Sequence, residues 1–570
     1  MEFVDVATDP RFYSPCSSEC ASRVGMGTGG CVERSPSHDF DRLPRAMSDL
    51  VQQHAASPEE LWRWIERLQE SRQEAEPSRR LGVVHTPVPV AALMAERLLH
   101  GCRDRKPLRV LDAGCGSGRL LTAVLRVAAE RGTRVDCEGV DSDASSARWA
   151  QALQQMLPRA ASELVAWNIV HADFLLDYAP RQRFDCIIAN PPYIAARDLK
   201  PSYRNKLRAQ ALGVGRSDLS ALFVERMLDL LRPGGRLCVI VPNKLLAADY
   251  AAGLRRRLLQ DTCVDEIWDL AGEDVFAGCA AYPVILVLRA CRPVEAHRVA
   301  VHAADGTVRT RWPQSALRAL PQHVVPLDLP ATMWPLLQRL MSMPRLGDVV
   351  SVGCGIATSG FHRAIDRGRD RIICSGDIAP FRVRNRRRFA AGTLRLASRS
   401  LARQKVTKVV IPGMFHRLHA AFDARGDLLG RVYFVPVPEN GDSRRTLLMA
   451  LLNSRLYAVL YRGLFGGVAQ SGGYLRLNAP YVRRLPWPRT LPTPSVGRAV
   501  RRLESRPMAS RADLEACVED LFGLGARDRQ LLARLDRRMH GTNSPRPPSA
   551  RNSTPRTLLG VASRRPRSRK

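Results

Sequence analysis

Between Leu81 and Arg289 short apolar runs alternate with amphipathic stretches, and few architectures accept that pattern. The runs are Leu108–Ala113, Val135–Val140, Trp167–His171, Phe184–Ala189, Arg236–Val241, Val264–Leu270 and Pro283–Leu288. Each is too short for a buried helix, and helical periodicity fills most of the gaps between them. A strand that is apolar on both faces needs cover on both faces. The alternation therefore predicts an α/β fold with a mostly parallel sheet between layers of helices. Ahead of it, Leu61, Trp64, Ile65 and Leu68 predict an amphipathic helix from Leu61 to Glu76. No apolar run is long enough to span a bilayer, so no membrane partner is expected.

The first run ends in Asp112-Ala113-Gly114-Cys115-Gly116-Ser117-Gly118, with a helical pattern at Leu120, Leu121 and Val124 behind it. Glycines at 114, 116 and 118 permit a tight turn and leave room for a ligand against the backbone. Such turns occur in many nucleotide folds, so the second half of the site decides between ligands. The second run leads into Asp141, whose carboxylate at a strand tip is placed to accept from both ribose hydroxyls. The loop reads G-x-G-x-G and lacks the usual dinucleotide spacing. S-adenosyl-L-methionine, which has no phosphate, is therefore the expected cofactor. The third run ends in His171-Ala172-Asp173-Phe174. Asp173 either caps a helix, as Asp favours, or accepts from the cofactor's adenine amino group. Its place in order after the loop and Asp141 favours the second role.

The strand Phe184–Ala189 delivers Asn190-Pro191-Pro192-Tyr193. Asn and Pro also make ordinary strand-ending turns. That reading weakens once the tetrapeptide follows a cofactor loop and a ribose ligand in order. Two prolines fix φ at successive positions and hold Asn190 and the nearby carbonyls in one geometry. An exocyclic amine on an aromatic ring is a poor nucleophile, because its lone pair is delocalised into the ring. The side-chain oxygen of Asn190 and the carbonyl of Pro191 can each accept one N–H bond, which localises that lone pair. Tyr193 offers a flat face for stacking. Attack on a sulfonium methyl then needs positioning and electrostatics rather than a strong base. No metal is expected, since Cys16, Cys20, Cys31 and His38 match no zinc spacing.

Lys and Arg total 87 against 55 Asp and Glu, a net charge of +32. Self-repulsion of that size favours an anionic partner, and the excess of Arg over Lys suits phosphate and base edges. The 14 Cys include no Cys-x-x-Cys pair, which fits a reducing cytoplasm. Composition shifts predict a disordered leader over 1–55, a helical segment over 56–80 and the sheet domain over 81–325. The stretch from Ala296 to Leu346 reads as a connector. A mixed, β-rich second domain is expected over 347–490, a helical segment over 491–540 and a disordered basic tail over 541–570.

On these motifs the chain resembles the gamma class of adenine-N6 DNA methyltransferases, the Taq type, over roughly residues 81–490. The resemblance implies a Rossmann-like class I methyltransferase domain with a C-terminal DNA-recognition domain. His85-Thr86-Pro87 resembles the segment before the Gly loop, which implies that Thr86 and Pro87 lie against the methionine part of the cofactor. Leu231–Leu237 running to Val241-Pro242-Asn243 resembles the strand after the catalytic region. Gly272-Glu273-Asp274-Val275-Phe276 resembles the segment whose aromatic residue, here Phe276, packs against the flipped base. Leu451–Leu456 and Ser471–Arg476 resemble the specificity domain. Between Phe361 and Val410 stand 14 Lys and Arg and three Asp and Glu, a charge suited to facing DNA. The class often has Pro before the first small residue of the loop, where this chain reads Asp112-Ala113-Gly114, which weakens the subclass and leaves cofactor binding intact.

The resemblance implies methylation of a flipped-out adenine in double-stranded DNA. It implies a restriction-modification or phage-defence role in a bacterial cytoplasm at the nucleoid, by a monomer beside a separate restriction endonuclease. A protein-glutamine N5 methyltransferase shares the spelling Asn190–Ile194, and an RNA guanine-N2 methyltransferase is a further alternative. A DNA-binding module without catalysis would not need Asn190 to Tyr193. The basic second domain and Val241-Pro242-Asn243-Lys244 favour the DNA enzyme.

Overall fold

The apolar runs fold as strands with the expected bounds to within a few residues. The computed structural model describes residues 58–75, 85–102, 106–154, 157, 165–210, 218–270, 282–358, 361–393, 401–437, 442–466, 473–490 and 492–540. The expected leader and tail, and the segment 272–276 with Phe276, lie outside the described residues. The chain divides into two units, Met1–Pro192 and Tyr193–Lys570. The division falls inside the stretch expected as one domain.

In the first unit β1 (Leu108–Ala113), β2 (Val135–Asp141), β3 (Val165–His171) and β4 (Phe184–Ala189) lie in the order β3-β2-β1-β4. Every pair is parallel. The helices are α1 (Pro58–Ala75), α2 (Val88–Leu98), α3 (Arg119–Arg131) and α4 (Ala144–Leu153). The chain fills one side of β1 with β2 and β3, then crosses to the other side with β4. That reversal opens a crevice beyond the carboxyl ends of β1 and β4, where ligands bind in open α/β sheets. Helix α1 turns a different face inward from the one its leucines suggest. Trp62, Ile65 and Gln69 are buried, whereas Trp64 and Leu68 are half-buried. The hydrogen bonds of Gln69 account for that rotation, as described below.

In the second unit α5 (Pro201–Ala209) and α6 (Leu219–Leu230) lead into β5 (Leu231–Pro242), and α7 (Ala252–Asp261) follows. Next come β6 (Cys263–Asp269), β7 (Pro283–Arg289), β8 (Arg298–Ala303) and β9 (Val308–Pro313), in the sheet order β5-β7-β6-β8-β9. Strand β7 is antiparallel to β5 and β6, β8 is parallel to β6, and β9 is antiparallel to β8. The expected connector after Ala296 is thus a hairpin of the sheet. Arg309 and Arg311 lie on its exposed face, whereas Val299, Val301 and Trp312 are fully buried. Asp305-Gly306, with Gly306 at φ 86°, is the turn signal that marks it.

Short strands follow: β10 (Gly353–Cys354), β11 (Ile365–Cys374), β12 (Ile378–Ala379), β13 (Arg382–Val383), β14 (Arg387–Phe389) and β15 (Lys408–Ile411). Then come β16 (Met414–Phe415), β17 (Ala421–Asp423), β18 (Leu428–Gly430), β19 (Tyr433–Pro436) and β20 (Leu475–Arg476). They form sheets β10-β19-β15-β17 and β14-β11-β18 and the ribbons β12-β13 and β16-β20. One small core gathers Ile373, Val410, Leu429 and Phe434, and another Phe361, Ile372, Phe389 and Leu428. Helices Asp442–Asn453 and Arg455–Phe465 pack beside them, and Pro494–Ser505, Ala512–Leu521 and Ala526–His540 end the described chain. Among the described residues no helix is long and apolar enough to cross a membrane.

Candidate active site

Strand register brings the loop and the Asn-Pro-Pro segment to one edge of the first unit. Asp112 pairs in register with Gly139 on one side and Ile188 on the other. The turn after β1 and the residues after β4 therefore leave the sheet side by side. The loop is pinned to the end of β2, since Gly114 and Cys115 both donate to the carbonyl of Val140, at 2.8 and 3.0 Å. Gly114 and Gly116 have φ of 82° and 52°, a region where side chains are strained. A Cβ on Gly116 would meet nothing within 4 Å, so the backbone there borders open space.

Asp141 accepts the Gly116 N–H at 2.8 Å through Oδ2 and the Asp143 N–H at 2.8 Å through Oδ1. Burial raises its pKa, against the pull of those two N–H groups. Each carboxylate oxygen keeps a second lone pair, as ribose hydroxyls would require. Asp112 is fully buried and neither of its carboxyl oxygens has a hydrogen-bond partner. Burial holds that carboxyl well above the usual carboxylate range, and the charge of Asp141 adds to the shift. Two acidic groups beside a glycine turn suit a ligand that carries ribose hydroxyls and positive charge. S-adenosylmethionine has both, in its ribose and in its sulfonium and ammonium groups, so the residues fit it.

Asn190 follows β4, and its Nδ2 donates to Thr86 Oγ1 at 3.0 Å. Thr86 is buried at the entry to α2, and Pro87 caps that helix in extended conformation. The structure thus places Thr86 on the amide of Asn190. Asp173 Oδ1 accepts from the N–H groups of Leu175 and Leu176 at 2.9 and 3.1 Å, so it caps the turn after β3. Phe174 is buried and stacks on Tyr178, with ring centroids 5.8 Å apart. Pro191 is buried and Pro192 half-buried at the end of the first unit. Tyr193 opens the second unit and is half-buried. Close behind it, Ile194 accepts the Leu219 N–H, and Lys244 pairs with the buried Asp218 at 2.5 Å.

Gln69 and Arg119 escape the sequence reading. Gln69 Nε2 donates to the Ser117 carbonyl at 3.1 Å and to Thr122 Oγ1 at 3.2 Å, and Thr122 Oγ1 in turn donates to the Gly118 carbonyl at 2.9 Å. Helix α1 therefore braces the loop from behind. Arg119, buried directly after the loop, lies 3.9 Å from Glu70 of the same helix. A glutamine on the helix face that carries Trp62 and Ile65 was the available signal.

Two outcomes follow for a titration with the cofactor. Asp141→Ala should weaken S-adenosylmethionine binding by about 2–5 kcal/mol, because it removes charge-assisted acceptors and frees the Gly116 N–H. Gln69→Ala should weaken it by about 1 kcal/mol through the loop alone. Unchanged affinity in calorimetry would assign Asp141 to the turn only, and Gln69 to helix packing only.

Residues 133–276, from just before β2 to Phe276, match the family described as Eco57I restriction-modification methylase. The chain is 28% identical over 211 residues to the type II methyltransferase M.BanIII of Aneurinibacillus aneurinilyticus, covering 35% of this chain and 36% of that protein. It is 25% identical over 539 residues to the type II methyltransferase M.PaeR7I of Pseudomonas aeruginosa, covering 76% of this chain and 90% of that protein. A solved methyltransferase subunit of a type I restriction-modification system from Streptococcus thermophilus is 23% identical, with a TM-score of 0.32, over 39% of this chain and 48% of that one. The chain thus spans about a third of the first relative's length and nearly all of the second's. The matched stretch includes Asp141, Asp173 and the Asn190–Tyr193 motif, and the chain is similar there to Eco57I restriction-modification methylases and, over more of its length, to type II methyltransferases.

Proposed function

We propose that the chain is a site-specific DNA adenine-N6 methyltransferase that uses S-adenosylmethionine. The observation that carries this reading is the amide of Asn190, held by Thr86 at the crevice where the glycine loop also ends. The loop, Asp112 and Asp141 would hold the cofactor, and Asp173 would supply an acceptor for its adenine amino group. When bound, the cofactor supplies an electrophilic methyl on a sulfonium. Asn190 Oδ1 and the Pro191 carbonyl accept the two N–H bonds of the target amine and make its lone pair available. Pro191 and Pro192 keep those acceptors from relaxing, and Tyr193 stacks on the base. By the resemblance, Phe276 is the aromatic residue assigned to the flipped base. A base inside a duplex must leave the stack to reach such acceptors.

DNA as the substrate is supported by the net charge of +32 and by the likeness to restriction-modification methylases. Residues 347–490 would choose the sequence, and a separate restriction endonuclease and a monomeric enzyme are expected with it. The test is mass spectrometry of digested DNA from a host expressing the chain, compared with the same host without it. N6-methyldeoxyadenosine is expected. N4-methylcytosine would keep the amine chemistry and change the base. Methylated glutamine in a protein, with unmodified DNA, would replace this reading with the glutamine methyltransferase.

A further inference from the structure

The β16–β20 ribbon in the second unit has an outward face unlike the surface around it. Met414 pairs in register with Arg476 and Phe415 with Leu475. Side chains alternate across such a pair. Phe415 and Leu475 are buried, while Met414, His416, Tyr474 and Arg476 are exposed. Met414 and Tyr474, 45% and 42% exposed, are two large apolar residues on one short ribbon, where desolvation would favour covering them. His416 lies against the Tyr474 ring, with centroids 3.7 Å apart. No acidic residue occurs from Gly413 to His419 or from Gly473 to Tyr481, so the face is apolar, aromatic and basic.

The ribbon is firmly seated. Phe415 packs against Tyr461 at 5.5 Å between centroids, and Tyr461 Oη donates to the Arg476 carbonyl and accepts the Asn478 N–H, each at 3.0 Å. Gly413 donates to Ser375 Oγ at 2.9 Å and accepts from Leu477 at 2.9 Å. A Cβ on Gly413 would come within 2.1 Å of the Arg431 carbonyl, so only glycine lets the ribbon cross there. A two-stranded ribbon is an element that the DNA major groove admits, and an exposed row of this composition suits the base edges there.

We propose that this face, Met414, His416, Tyr474 and Arg476, contacts the base edges of duplex DNA and sets the sequence preference. The proposal rests on the DNA-methyltransferase reading above. Arg476 supplies the charged fork for a guanine edge, and the Tyr474 ring and Met414 supply apolar contact such as a thymine methyl requires. Tyr474 held against His416 loses little freedom when it binds.

The experiment uses the full chain and a pool of randomised duplexes. The wild type should enrich one sequence motif. The double variant Tyr474→Ala/Arg476→Ala should bind the enriched duplex about ten- to a hundredfold more weakly, with unchanged titration of S-adenosylmethionine. Tyr474→Phe should keep the motif, and so should Met508→Ala, whose side chain is 97% exposed elsewhere. If the double variant enriches the same motif with the same affinity, the ribbon does not read DNA and the methylase reading stands. If the wild type binds no duplex, both fall.

Discussion

Asn190→Ala should cut methyl transfer by at least a hundred- to a thousandfold while S-adenosylmethionine still binds. In the proposed reaction the side chain would act on the substrate amine, so its loss would remove stabilisation that exists only as charge develops on that nitrogen. Losing one preorganised acceptor or donor of this kind costs about 3–4 kcal/mol. Thr86 gives a second, graded measurement. Its hydroxyl accepts the Nδ2 proton at 3.0 Å, which turns Nδ2 toward Thr86 and Oδ1 the opposite way. Thr86→Val removes that acceptor and lets the amide rotate, so kcat should fall about tenfold with little change in cofactor affinity. Thr86→Ser should restore most of it. Single-turnover methylation with a calorimetric cofactor titration separates the effects. Equal loss of cofactor binding in Asn190→Ala would move Asn190 from the chemistry to the loop, and unimpaired turnover would remove it from the site.

What the sequence made legible follows the strength of each physical signal. Continuous apolar runs such as Phe184–Ala189 fold as the strands they predict, because strands buried on both faces leave no competing pattern. Asp141 and the glycine loop were legible as a pair, since the backbone there requires glycine and the strand ends in an acid. The β8–β9 hairpin was missed because few large apolar residues carry its buried face, and in β9 Arg309 and Arg311 form the exposed face opposite Trp312. The face of α1 was misread for a related reason. Among the described side chains its inward stripe includes Gln69, whose value lies in a hydrogen bond to a loop 48 residues away, and no periodicity reports such a bond. Asp173 shows a further limit, since one spelling serves both a turn cap and a ligand, and the structure shows the cap. The basic stretch from Phe361 to Val410 was read as one surface, yet its charges divide between the interior and the solvent.

That division gives the second large effect, in the buried polar network around β15. Lys408 and Asp423 are both fully buried, and Lys408 Nζ lies 2.9 Å from Asp423 Oδ2. Lys408 Nζ also donates to the carbonyls of Gln404 at 2.6 Å and Val406 at 3.2 Å, so its three protons are placed. Burial pulls the Lys408 pKa down, opposed by the hydrogen bond to Asp423. Arg386 joins the same network, 2.7 Å from Asp427 and 3.7 Å from Asp423. Lys408→Met leaves Asp423 buried without its cation and should destabilise this region by about 3–5 kcal/mol. For a region of this size the melting transition should fall by about 10 °C. Lys408→Met combined with Asp423→Leu should recover much of the loss, because it removes both buried charges together. Arg386→Ala should also destabilise, whereas the exposed Arg388 should change stability by less than about 0.5 kcal/mol. If the second unit binds DNA, Arg388→Ala should instead lower the slope of log affinity against log salt by about one. Arg387 pairs with Asp377 at 3.4 Å and belongs between the two cases. Neutralising Arg386, Arg387 and Arg388 together would therefore confuse folding with binding, and thermal melts of the single variants distinguish them. An unchanged melt for Lys408→Met would show that the Asp423 carboxylate is relieved by water or by Arg386, and would remove Lys408 from the core of this region.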